Sequence, residues 1–146
     1  MKKMVIAFAL LMVVSNVFAQ TFEMGTPERK AVMDALRVPV QKDLDVPVQF
    51  VVQTLNVVGS YAFMMGVPQQ KNGKPINYLK TSHKEHYESE AFDDHITALL
   101  KLNGKKWKVL TYNIGGTDVF FGCWWKEYNA PKSLFDGSAL PDCDYQ

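Results

Sequence analysis

The residues best suited to chemistry fall in one polar stretch, Thr81-Ser82-His83-Lys84-Glu85-His86-Tyr87-Glu88-Ser89-Glu90, with His95 close behind it. Imidazole and carboxylate together suit Zn²⁺ or Cu²⁺. On a helix, residues three apart share a face, so His83 and His86 can reach one ion, with His95 approaching in space. The order is not His-Glu-x-x-His, because Glu85 directly precedes His86. The stretch therefore reads first as a solvated polar loop and second as a metal site. No cofactor is implied elsewhere in the chain.

Asp118 is the acid set between apolar stretches, beside Tyr112 and the Trp124-Trp125 pair. It suits two roles, a general base in a pocket or the cap of a final short helix, and the cap is the simpler reading. Ser60, Ser82 and Ser133 are not in a Gly-x-Ser-x-Gly elbow. Cys123 follows Gly122, but a second cysteine at Cys143 makes a disulfide the better reading than a nucleophile in an exported chain. Closing that loop is worth about 3 kcal/mol in the chain-entropy model, and it would tie the patternless tail after Asp136 to the Trp124-Trp125 region. There is no Cys-x-x-Cys spacing to suggest redox or metal-thiolate chemistry.

Trp107, Phe120, Phe121, Trp124, Trp125 and Tyr128 concentrate bulk in a short stretch. Two adjacent tryptophans on a helix cannot both point inward, so at least one is expected at the surface or in a cleft. Together with Tyr128 and Asp118 it would make a binding surface of the kind enriched in hot spots. The plainer reading is a core edge packed on the disulfide.

The N-terminus sets the compartment in which these groups would work. Lys2-Lys3, an apolar run from Met4 to Val14, and Val17-Phe18-Ala19 are the three parts of a secretory signal. The run is too short to span a bilayer. Cleavage is expected after Ala19, and Gln20 in place of Cys argues against a lipid anchor. Removing Lys2 and Lys3 leaves 14 basic against 15 acidic residues, a formal charge of −1. That balance gives no electrostatic case for nucleic acid or for an anionic membrane surface. No later segment is apolar and long enough for membrane insertion. Residues 20–146 fit one domain, large enough to bury its own core.

The elements that must position these groups follow from local pattern. Thr26-Pro27-Glu28 is a helix start, and Val32, Ala35 and Leu36 continue it over residues 27–37, with Pro39 ending it. Residues 38–47 are a connection with room for a short helical turn through Lys42 to Leu44. Val48 to Val58 and Tyr61 to Val67 read as an antiparallel hairpin about Gly59-Ser60. In the first strand Phe50, Val52 and Thr54 share a face opposite Val51, Leu55 and Val57. Residues 68–77 are a loop and 78–94 a polar excursion. A second hairpin runs from His95 to Ile114 about Asn103-Gly104. A short helix through Trp124, Trp125 and Tyr128 follows, ended by Pro131. The sum is an α+β fold: an N-terminal helix on a four-stranded antiparallel curved sheet, a short C-terminal helix and one disulfide.

Pro27–Arg37, the run FVVQTLNVVGSYAFMMG within Val48–Val67, and ITALLKLNGKKWKVLTYNIGGTD beginning at Ile96 give this chain a pattern that resembles cystatin-like and nuclear-transport-factor-2-like domains. It also resembles small exported bacterial proteins with a similar strand-then-Trp-Lys-Val layout. The resemblance implies a curved sheet wrapped on the helix. It does not transfer an activity, since such folds serve enzymes, carriers and inhibitors.

The leading expectation is an exported, periplasmic, non-enzymatic binding module, acting by contact with another periplasmic or secreted protein or by ligand capture. The alternatives are a small pocket enzyme or carrier, and a metal-handling protein. N-terminal sequencing of the exported protein should read Gln20-Thr21-Phe22-Glu23; an intact Met1 would remove the export reading.

Overall fold

The computed structural model describes residues 19–89, 91–135 and 140–143. Residues 1–18 of the expected signal segment, 1–19, lie outside the described residues.

Helix α1 spans Pro27–Leu44. Thr26 caps it, its hydroxyl accepting from the Arg29 amide at 3.3 Å, with Pro27 at the first helical position where a missing N–H costs nothing. The helix runs seven residues beyond the expected end at Arg37, through Pro39. An interior proline costs about 3 kcal/mol. Against that, Val40 and Leu44 are 0% and 2% exposed and extend the buried stripe of Val32, Met33 and Leu36. Burying two such side chains contributes about 3–6 kcal/mol, so packing outweighs the proline. Asp45, in the left-handed region at φ 52°, ends the helix.

Strands β1 (Val48–Val58), β2 (Tyr61–Gln70), β3 (Asp93–Asn103) and β4 (Lys106–Gly115) form one antiparallel sheet in chain order. Gly66 sits opposite a bulge between Val52 and Thr54. Its missing side chain is required there, because a Cβ would stand 2.4 Å from the Val51 carbonyl oxygen. The bulge resets the alternation. Phe50 and Val52 therefore share the helix-side core with Leu55 and Val57, rather than facing away from them as simple alternation predicts. Strand β2 also runs past the expected loop start, through Pro68 to Gln70. Pairing with β3 stops at Gly66, so Pro68 lies where β2 has no β3 neighbour needing its N–H. In the second hairpin Asn103 pairs with Lys106, so the turn is Gly104-Lys105, one residue later than expected. Gly104 alone has positive φ there, as a type II′ turn requires.

Both faces of this sheet are apolar. One takes α1 over Leu55, Val57, Ala62, Met64, Ile96, Ala98, Leu100 and Ile114. The other presents Val58, Tyr61, Phe63 and Leu99, and the C-terminal segment returns to cover it. That segment is a 3₁₀ turn (Phe120–Cys123), the short helix α3 (Trp124–Glu127) and a second 3₁₀ turn (Lys132–Phe135). Phe63 packs against both Phe121 and Phe135, at centroid distances of 5.2 and 4.7 Å. Asn56 Nδ2 donates to the Leu134 carbonyl at 3.0 Å and the Tyr61 hydroxyl to the Tyr128 carbonyl at 3.2 Å. Cys123 and Cys143 are disulfide-bonded, with Cα atoms 5.7 Å apart. The bridge holds Pro141 over Gly122, where a Cβ would be 2.3 Å from the proline ring.

The second layer is thus essential rather than decorative. Phe135→Ala should lower unfolding free energy by about 3–5 kcal/mol, and reducing the disulfide by about 3 kcal/mol, both read from urea denaturation. A loss under 1 kcal/mol for Phe135→Ala would show that the second layer does not form part of the cooperative core.

Candidate functional site

On a strand, residues two apart share a face. Asp93, His95 and Thr97 on β3 therefore project together onto the sheet face away from α1, where Met65 of β2 and Gln53 of β1 join them. The chain leaves β4 at Gly115-Gly116 and crosses over this face. Gly115 has φ 84°, and a Cβ there would overlap the Phe92 ring at 2.2 Å. A Cβ on Gly116 would meet Phe120 at 2.1 Å. The crossing closes a cleft of about 330 Å³ between the sheet and residues 116–121, at the lower end of the range for small-molecule sites.

Within the cleft His95 Nδ1 lies 2.8 Å from Asp93 Oδ1, a close contact without the alignment of a hydrogen bond. Thr97 is 4% exposed, and its hydroxyl has no hydrogen-bond partner among the described residues. Asp118 is exposed at the rim and makes no hydrogen bond or ion pair among the described residues. Beneath Gly116, Asn113 Oδ1 is buried and also without a partner. Met65, Phe120 and Phe121 supply an apolar wall. The arrangement can receive hydrogen-bond donors at two carboxylates, a hydroxyl and an imidazole, with an apolar body against the rings.

Asp118 does not cap the final helix. The 3₁₀ turn that opens it starts after Val119 with no side-chain cap, because Asp118 is turned toward the cleft. The aromatic cluster lies at the edge of the core, the plainer of the two expected arrangements. Trp124 is 6% exposed and belongs to the core. Trp125 and Tyr128 are half-buried against the same core, and Lys132 Nζ lies 3.8 Å from the Trp125 ring centroid. Consecutive tryptophans bury together because α3 is a single turn continuing a 3₁₀ turn, not a regular helix with one inward face.

The three histidines are not brought together. His83 Nε2 contacts Asp43 Oδ2 at 3.2 Å, and His86 Nε2 contacts the Ala91 carbonyl at 2.9 Å. His95 is on the opposite face of the sheet, in the cleft. Among the described residues no group of three or more His, Cys, Asp or Glu side chains is gathered to hold a metal ion.

A second polar cluster centres on Asp43, near the C-terminal end of α1. Besides His83 it accepts from the Tyr112 hydroxyl at 3.1 Å and the Ser82 hydroxyl at 3.1 Å. The Tyr78 hydroxyl donates to Asp94 at 2.6 Å, and its ring stacks with Tyr87 and tilts against Phe92. The excursion, a 3₁₀ turn at Tyr78–Lys80 and helix α2 (Lys84–Glu88), is thereby pinned to α1 and the sheet. This is anchoring: Ser82 and His83 both point at the carboxylate and not at each other, so no nucleophile–base pair is formed.

No family model, curated protein or solved structure matches the chain. Sequence reasoning found Asp118 and His95 but missed Asp93, Thr97 and Asp43. The available signal was Asp93-x-His95-x-Thr97, polar at each second position where Ile96 and Ala98 alternate as apolar.

Loss of aqueous contact, and then the charge and hydrogen bond of Asp43, push the Tyr112 hydroxyl up to about 12, above the unfolded value of about 10. The folded state therefore holds this proton more tightly. Its contribution is complete below pH 10 and is lost as pH rises through about 12. Tyr112→Phe should cost about 1 kcal/mol at pH 7 and flatten the alkaline fall in urea stability between pH 10 and 12. An unchanged alkaline slope would refute the Tyr112 assignment.

Proposed function

We propose that this protein is an exported, periplasmic binding module that captures a small ligand in the cleft of Asp93, His95, Thr97 and Asp118. The observation that carries the reading is the cleft itself, where the Thr97 hydroxyl, with no protein partner among the described residues, stands beside a histidine–carboxylate pair and an aromatic wall. The disulfide supports an oxidising compartment. Among the described residues no helix is long and apolar enough to cross a membrane.

Ligand capture stands ahead of protein contact through Trp124, Trp125 and Tyr128, since these side chains are largely committed to the core. It also stands ahead of the pocket enzyme. An imidazole beside a carboxylate can serve as a general base, but His95 Nε2 has no acid or nucleophile set against it among the described residues. The helix-then-four-strand order supports the resemblance to cystatin-like and nuclear-transport-factor-2-like domains, which we retain as a proposal.

Native mass spectrometry of the protein released gently from periplasm should detect a bound small molecule. Thr97→Val should retain the fold and lower that occupancy at least about tenfold, equivalent to one hydrogen bond of about 1.4 kcal/mol. Occupancy unaffected by Thr97→Val and by His95→Ala would place the ligand elsewhere and defeat the reading.

A further inference from the structure

We propose that the ligand is a small organic cation, an ammonium group carried on an apolar body; this rests on the cleft being the ligand site. The ionisable side chains lining the cleft are Asp93, His95 and Asp118. With the imidazole neutral they total −2, and with it protonated −1, so an anion meets net repulsion in either state. Asp93 already faces the His95 imidazole at 2.8 Å. That leaves Asp118, exposed and with no ion pair among the described residues, as the carboxylate able to take a new charge.

The remaining polar groups point the same way. An ammonium has three donors and no acceptor. The Thr97 hydroxyl lines the cleft and has no protein partner among the described residues, so it accepts a donor without breaking an existing protein bond. The opposite wall suits the body of such a molecule. Phe120 and Phe121 meet edge-to-face at 5.9 Å, Met65 adds a polarisable thioether, and aromatic faces attract cations as well as apolar groups. A volume of about 330 Å³ limits the ligand to a small one.

The test uses the full, disulfide-bonded exported protein, ¹⁵N-labelled, titrated with benzylamine, benzyl alcohol and benzoate. These probes share a ring and differ in charge. Benzylamine should move the backbone amide resonances of His95, Thr97 and Asp118, and bind at least about tenfold more tightly than benzyl alcohol. Benzoate should bind more weakly than either. Asp118→Asn, at an exposed side chain on which no described contact depends, should bring benzylamine down to the alcohol's affinity. If the alcohol or benzoate shifts the same resonances equally well, the cation assignment is wrong while the cleft remains the site. If no probe moves cleft resonances at millimolar concentration, the cleft reading itself fails.

Discussion

A four-stranded sheet has two faces, and the described residues supply one long helix to cover them. Burial of the face that α1 leaves open is the constraint on which the rest of the molecule depends. The strands are apolar on both sides at their centre, with Ala62, Met64, Ala98 and Leu100 toward the helix and Tyr61, Phe63 and Leu99 away from it. Leaving Phe63 and Leu99 in water would forfeit about 1.5–3 kcal/mol each. The C-terminal segment, poor in regular structure, is recruited to prevent that loss through Phe121, Trp124, Leu134 and Phe135. Its backbone is only short turns, so it depends on side-chain packing, on bonds to Asn56 and Tyr61, and on the disulfide.

The cleft is a consequence of the same arrangement. The covering segment starts from the β4 edge and must cross the sheet before its first aromatic residue can reach Phe63. Gly115 and Gly116 permit the crossing, one by its positive φ and both by lacking a Cβ where Phe92 and Phe120 stand. The cover does not close fully near the β3 end that carries Asp93, His95 and Thr97, and the gap keeps these polar groups accessible. Structural coverage and a candidate ligand site therefore come from one piece of chain. On the other face the polar excursion is held by Asp43 and Asp94, which anchor it instead of offering it to a ligand.

The sequence by itself determined the elements whose signals are local. Thr26-Pro27 fixed the helix start because capping is decided within one turn. Alternation in Ile96, Ala98 and Leu100 marked the hairpin because period two puts a whole set on one face. Two cysteines read as a pair foretold the Cys123–Cys143 bond. Tertiary structure alone decided what depends on contacts distant in sequence. Pro39 stays helical because Val40 and Leu44 find a core built largely by later strands. The bulge at Val52–Thr54 needs Gly66 across the ladder. Trp124 turns inward because Phe121 and Tyr128 pack around it on a sheet face that local pattern cannot locate. Asp43, an unremarkable helical acid, becomes a hub only when Ser82, His83 and Tyr112 arrive. Asp118 and His95 are 23 positions apart in the chain, and only the crossing at Gly115-Gly116 makes them walls of one cleft. Periodicity reports which side of an element is apolar; where that side lies relative to another element is set by the free energy of packing the whole chain.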